Sequence, residues 1–340
     1  MHDLRRERLF GPEGPAGTGL EIGALASPML VRPAADVLYV DYAPTEVLRA
    51  NQFDPSVRTD KIVEVDVVWG EVPLRKAVGR TVDFVAACHV IEHVPDIVGW
   101  LNELREVLKP GGTLGLVIPD KRFTFDALRR ESTLAEAVEA YLLGYRRPSL
   151  RQVFDVASLG VGVDGGQVWR GAFAPSERRG EVLSRLAHAM ALVRRLHETS
   201  QYRDAHCWVF TPSSFLTLVE ELAILDLFPF VIDDFQPTEP NGAEFYVRLI
   251  AADAGDSRIL DAVMAARASL ATAATPDSRT VPIPEADASE EEAEAGGAQA
   301  RAEIERLRGE AAAIRASTSW KLTAPLRAAV TRLSRRPGRS

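Results

Sequence analysis

The sequence predicts an α/β fold of the doubly wound type, with a mostly parallel sheet whose last strand runs antiparallel. Three observations carry this. Four short β-branched runs fall within residues 18–125, a helical segment joins the last two, and a hairpin-like pair of apolar runs follows at 228–252. Continuous apolar runs suit strands buried on both faces. A strand–helix–strand order implies a right-handed crossover.

The runs are DVLYVDY (36–42), DKIVEVDVV (60–68), VDFVAACHV (82–90) and TLGLVIPD (113–120), preceded by a first strand that leads into GLEIGALASP (19–28). Ahead of the last run, Ile97, Trp100, Leu101, Leu104 and Leu108 keep helical spacing, and Pro110-Gly111-Gly112 stops the helix. Residues 126–205 break the alternation. Helix-like stretches near 127–145 and 181–199 flank a Gly-rich passage at 158–171, an excursion of the length used for lids or recognition inserts. HCWVF (206–210) is expected to resume the sheet. Thr211-Pro212 supplies an N-cap and first-turn proline. The runs 228–235 and 244–252 form a hairpin around QPTEPNGA. One domain is therefore placed at 1–253, with 126–205 as its helical insert. Residues 254–298 read as a helix and an acidic, Ala/Pro-rich disordered linker. Residues 299–340 read as a basic, amphipathic helical tail, with Ile304, Leu307, Ala311 and Ile314 at a/d-like spacing.

Composition narrows the function classes. A net charge of −8 makes no electrostatic case for nucleic acid. Cys88 and Cys207 are the two cysteines and cannot form a disulfide framework. The first residues, MHDLRRERLFGPEG, show no apolar signal region, and acids interrupt FLTLVEELAILDLFPFVI. The expectation is a cytoplasmic protein.

Several polar residues fall where strands should end. Glu21 and Gly23 sit at the first turn, where small residues let a ligand approach the backbone. Asp41 closes the second strand, where an acid accepts both hydroxyls of an adenosine ribose. Asp66, followed by Trp69, could meet an adenine amino group while the indole stacks on the ring. DFVAACHVIEHVPD (83–96) ends in His89, Glu92 and His93, three polar groups where an apolar strand runs out. Each of these also has a plain reading as a strand cap or solvated loop.

Together LEIGALAS, VLYVDY, DFVAACHVIEHVPD and LKPGGTLGLVIPDKRFTFD resemble the class I S-adenosylmethionine-dependent methyltransferases, most closely the bacterial "methyltransferase type 11" kind. The resemblance covers residues 18–125 and, as topology, 206–252. It implies a Rossmann-like seven-stranded sheet and S-adenosylmethionine as cofactor. It also implies Glu21 and Gly23 on the methionine side, Asp41 at the ribose, Asp66 near adenine and His89 at the cofactor-facing end of the fourth strand. The family's second and third glycines are matched here by Leu25 and Ser27.

Methyl transfer to a hydroxyl needs alignment and removal of a proton. A histidine titrates in the useful range, so His93, His206 and Glu92 are the candidate catalytic residues, with a histidine as general base. The His-x-x-Glu-His spacing also resembles that of metal-binding methyltransferases acting on ribose hydroxyls. It occurs in members without a metal too, and no metal is assigned. Asp120, Lys121 and Arg122 lie at the sheet mouth and are candidates for gripping a polyhydroxylated or phosphorylated acceptor. The tail segment STSWKLTAPLRAAVTRL (317–333) resembles a terminal segment of bacterial surface-polysaccharide enzymes. Such a helix could dock to a glycosyltransferase or an anionic membrane surface. The favoured reading is O-methylation of a sugar hydroxyl on a bacterial glycan or its precursor. The alternatives are a small-molecule or quinone-type O-methyltransferase, and a non-catalytic scaffold. A nicotinamide dehydrogenase ranks low, because the first turn lacks Gly-x-Gly-x-x-Gly.

Overall fold

The computed structural model describes residues 2–51, 57–70 and 72–272. Its strands are β1 (Thr18–Ile22), β2 (Asp36–Asp41), β3 (Val67–Val68), β4 (Val82–Cys88), β5 (Leu108–Pro119), β6 (Phe230–Gln236) and β7 (Glu244–Ala251). They form one sheet in the order β3-β2-β1-β4-β5-β7-β6. β1 to β5 are mutually parallel, while β7 runs antiparallel to both β5 and β6. The mostly parallel sheet with its antiparallel last strand is the one expected. The strand order reverses between β1 and β4, and open α/β sheets gather ligands at that point, beyond the carboxyl ends.

The helices are α1 (His2–Phe10), α2 (Thr45–Asn51), α3 (Leu74–Val78), α4 (Ile97–Val107), α5 (Leu134–Leu143), α6 (Leu150–Leu159), α7 (Gly165–Trp169), α8 (Arg179–Thr199), α9 (Pro212–Ile224) and α10 (Arg258–Thr272). β4 shows why its apolar run is continuous. Val85 and Ala87 belong to one hydrophobic cluster with residues of α4, α9 and α10, whereas Phe84 and Ala86 belong to a second with Leu9 of α1, Met29 and Tyr39. Alternate residues serve opposite faces, and both faces are covered. Helix starts follow local chemistry. The Asp96 carboxylate accepts from the Gly99 N–H to cap α4, and Thr211 with Ser214 forms a capping box ahead of Pro212.

Four expectations need correction. The run 60–68 contributes only Val67–Val68 to the sheet. Its earlier part passes under the first turn, where the Val63 N–H bonds the Leu25 carbonyl and Ile62 packs on Ala43 and Leu48. HCWVF is not a strand of the sheet. The Cys207 and Trp208 N–H groups both donate to the Glu92 carbonyl, and the Val209 N–H donates to Ser132 Oγ. Only Phe210 makes an isolated bridge, to Asp120. The insert holds α5 to α8 rather than two helices. The domain also continues past 253, because Ile259, Val263 and Ala266 of α10 enter the main core. The acidic linker from 273 and the tail at 299–340 lie outside the described residues. Among the described residues, no helix is long and apolar enough to cross a membrane.

Trp208 ties the returning chain to the sheet domain. It is 1% exposed, and its indole N–H donates to the Val94 carbonyl at 2.6 Å. Trp208→Ala is expected to cost about 3–5 kcal/mol in urea unfolding. A loss below about 1 kcal/mol would be that of a surface position.

Candidate active site

The register Ile22↔Val40 and Ile22↔Ala87 brings Gly23, Asp41 and His89 to one edge of three adjacent strands. Gly23 has φ +68°, and a Cβ there would approach Val90 Cγ2 at 2.8 Å. Both the turn and the close packing demand glycine. Leu25 takes φ +42° in the same loop, so the tight turn persists without the second glycine. Asp41 is nearly buried at the tip of β2. Its Oδ1 accepts from the Tyr42 N–H at 2.8 Å, and burial raises its carboxyl to about 6 despite that bond.

Other predicted residues face elsewhere. Glu21 is 1% exposed, and its two oxygens accept from the Met29 and Leu30 N–H groups at 2.6 and 2.9 Å. It shapes the loop behind the turn and does not present its carboxylate at the mouth. Asp66 precedes β3 and accepts from the Tyr39 N–H at 2.7 Å and from the Arg32 guanidinium. That places it level with Tyr39, two residues short of Asp41 and away from the carboxyl edge. Trp69, not Asp66, stands beside Asp41: its N–H donates to the Asp41 carbonyl and its indole to Glu103. Asp120 is fully buried, held by Arg122 and by the Thr238 hydroxyl. Lys121 Nζ donates to the Ala127 carbonyl. Asp120, Lys121 and Arg122 therefore form an internal network rather than an open grip, because a buried acid must satisfy its charge locally. His89 has φ +54°, and its Nε2 pairs with Glu244 at 2.8 Å. Glu244 is also held by Arg5 and Tyr246, which keep its carboxyl far below the ordinary range despite burial.

The sharpest convergence is Glu92, His93 and His206. One ligand atom of each lies within 4.8 Å of the others. The rings of His93 and His206 meet edge to face at 4.6 Å. Each is anchored through Nδ1, His93 by Asp204 at about 3 Å and His206 by Asp126 at 2.5 Å, which leaves Nε2 to act. Asp126 is also bonded by the buried Arg129, whose other nitrogen donates to the His206 carbonyl. Burial works against the charge on His93, but Asp204, Glu92 and Asp126 outweigh it and raise its pKa. Burial likewise opposes the ionised Asp126 and Asp204, yet their histidine partners hold both below the ordinary range. Glu92 is 1% exposed, and neither carboxylate oxygen has a hydrogen-bond partner among the described residues. Phe125, partly exposed, packs its ring 4.5 Å from that of His206.

Sequence reasoning named all three central residues but not what holds them. Asp204 and Arg129 belong to none of the motifs read above, and Asp126, the last residue of LKPGGTLGLVIPDKRFTFD, has nothing in that stretch to point to His206. Nor did any pattern foresee α1, whose Arg5 reaches Glu244, or the stacking of Tyr202 from the insert on Tyr42 beside Asp41. Polar spacing two residues before His206 was the available hint for Asp204.

Residues 15–114 match a family model described as "Methyltransferase domain". A protein of Streptomyces fradiae, the "uncharacterized 37.1 kDa protein in transposon TN4556", is 30% identical over 125 residues, covering 37% of this chain and 33% of that protein. The ubiquinone biosynthesis O-methyltransferase of Xanthomonas campestris pv. campestris (strain B100) is 33% identical over 97 residues, covering 28% of this chain and 38% of that enzyme. The chain thus matches about a third of the length of the one relative and 38% of the other. Among solved structures, the CcbJ methyltransferase of Streptomyces caelestis aligns with 74% of this chain and 96% of its own at 12% identity and TM-score 0.38. The N-methyltransferase NodS of Bradyrhizobium japonicum, in complex with S-adenosyl-l-homocysteine, aligns with 74% of this chain and 85% of its own at 13% identity and TM-score 0.32.

Burial lifts the Glu21 carboxyl from 4.5 to about 7, outweighing its two N–H bonds. The folded chain therefore holds this proton more tightly than the unfolded chain, and Glu21 destabilises the fold as pH rises from about 4.5 to about 7. Across that window wild type should lose up to about 3 kcal/mol more than Glu21→Gln in urea titrations. Equal slopes for the two proteins would show that the N–H bonds keep Glu21 ionised throughout.

Proposed function

We propose that this protein, a class I S-adenosylmethionine-dependent methyltransferase, directs the methyl group to oxygen, at a sugar hydroxyl of a bacterial glycan or glycan precursor. The observation that carries the reading is the Glu92–His93–His206 cluster, with its two carboxylate-anchored imidazoles. A neutral amine already offers a lone pair, whereas an alcohol needs its proton taken.

The residues at the carboxyl edge fit the cofactor. The Asp41 carboxylate at the β2 tip suits the two ribose hydroxyls, and Gly23 keeps the first turn clear for the methionine end. When bound, the cofactor supplies an electrophilic methyl group on a sulfonium. His206, its Nδ1 held by Asp126, takes the acceptor proton at Nε2. With that proton held on His206, the acceptor oxygen would offer the lone pair that receives the methyl group. Asp126, shared with Arg129, stabilises the imidazolium that results. Phe125 offers an apolar wall for the face of the acceptor ring.

One specific observation favours a second reading, a quinone-type phenol as acceptor. The Xanthomonas ubiquinone O-methyltransferase is similar over the stretch that matches it, and Phe125 would suit a flat aromatic ring equally. The proposal extends to a cytoplasmic enzyme whose tail at 317–333 meets a glycosyltransferase partner or an anionic membrane face, supported by the apolar and basic residues of that segment.

The test is calorimetric titration with S-adenosylmethionine, followed by transfer of labelled methyl to panels of nucleotide sugars, glycans and polyprenyl phenols. Wild type should bind the cofactor, and Asp41→Ala should weaken binding at least about tenfold, the loss of one charge-assisted hydrogen bond. Because Asp41 titrates at about 6, cofactor affinity should fall as pH drops through that value. Among acceptors, His206→Ala should lower kcat about 10²–10⁴-fold. Absence of cofactor binding in wild type would leave only the scaffold reading, and methyl found solely on nitrogen would overturn the oxygen assignment.

A further inference from the structure

We propose that Glu92, His93 and His206 form a binding site for one divalent transition-metal ion. The proposal rests on the reading of this cluster as the place where the acceptor hydroxyl is activated. The Glu92 carboxylate, with 1% exposure and no hydrogen-bond partner on either oxygen among the described residues, is costly unless something positive meets it. Arg129, a buried cation of the insert, is bonded to Asp126 and to the His206 carbonyl, and its ion pair is with Asp126. His89 Nδ1 stands 3.7 Å from Glu92 Oε1, but that ring is tied through Nε2 to Glu244. The groups converging on Glu92 are instead two imidazoles, with one ligand atom of all three residues inside 4.8 Å.

The surroundings are those of a metal centre. A ligating histidine presents one nitrogen to the ion and donates its other N–H to a carboxylate, which fixes the ring and its tautomer. His93 has Asp204 in that role at about 3 Å, and His206 has Asp126 at 2.5 Å. Two imidazoles and one carboxylate make a three-ligand set that leaves positions open for oxygen ligands, and the set suits zinc, manganese or cobalt. Methyl transfer changes no oxidation state of the ion. With the ion in place, a hydroxyl of the acceptor enters an open position and loses its proton to water. Its oxygen then attacks the methyl carbon, and the C–S electron pair stays on sulfur. His206 then serves as a ligand, and its action as a base belongs to the metal-free chain.

The experiment is equilibrium dialysis of the full-length chain against Zn²⁺, Mn²⁺ and Co²⁺, with metal counted per chain and Co²⁺ also read by its visible absorption. Wild type should retain one ion. Glu92→Gln and His206→Ala should each abolish retention, while His197→Ala on α8, outside the cluster, should not change it. Asp126→Asn and Asp204→Asn should weaken binding by about 10–100-fold, as loss of an anchoring carboxylate does elsewhere. S-adenosylmethionine binding reports folding in every variant, so loss of metal with cofactor binding intact supports the site. Retention that survives both Glu92→Gln and His206→Ala, or no retention by wild type, overturns it. One ion bound and lost in the variants, with no hydroxyl acceptor methylated, supports the site and overturns the oxygen assignment alone.

Discussion

The carbonyl oxygen of Glu92 accepts two N–H groups, from Cys207 at 2.5 Å and from Trp208 at 3.2 Å. This clamp joins the loop after β4 to the chain returning from the insert, and the rest of the site depends on it. The Trp208 indole reinforces it from the core through Val94, and Cys207 Sγ lies 3.6 Å from the His93 carbonyl. Residues more than a hundred positions apart are thereby held in contact. His206, immediately before the clamp, has no choice but to stand beside His93.

The clamp also brings several charged groups together, some of them buried. Glu92, Asp126 and Arg129 are all buried. Each acid apart from Glu92 has a partner that offsets its desolvation: Asp126 has His206 and Arg129, and Asp204 has His93 and the Tyr202 hydroxyl. Both imidazoles spend Nδ1 on a carboxylate, Asp204 for His93 and Asp126 for His206, which leaves only their Nε2 atoms for a further partner. The uncompensated desolvation is therefore concentrated on one group, Glu92, whose oxygens have no hydrogen-bond partner among the described residues. Buried polar networks of this kind are stabilising only when every member is satisfied.

The insert does more than cover the sheet. α6 and α8 share a small core of Val153, Val193, Leu196 and Ala205, and that core delivers the segment 200–206 to the mouth. There Tyr202 stacks on Tyr42 next to the β2 tip, while Asp204 reaches His93. One short segment thus contacts both the tip of β2 and the Glu92–His93–His206 cluster. A change that loosens α6 against α8 would be felt at both.

The sequence by itself determined the parallel strands, the hairpin at 228–252, the cap at Thr211, the glycine at 23 and the acid at the tip of β2. These are local: apolar periodicity, capping chemistry and turn geometry act within a few residues. It also singled out Glu92, His93 and His206, because polar groups at the end of an apolar run are conspicuous in any chain. What only the tertiary structure decided is where side chains point and whom they meet. Glu21, Asp66 and Asp120 looked like site residues by position, yet each is bound to a backbone N–H or an arginine inside the fold. HCWVF read as a strand because strand and buried loop share the same apolar pattern; the Glu92 carbonyl claimed its N–H groups before the sheet could. Asp126 and Asp204 acquire meaning only when chain closure sets them against the two imidazoles. A hydrogen bond between distant residues depends on where the whole core places its elements, and no local pattern encodes that placement.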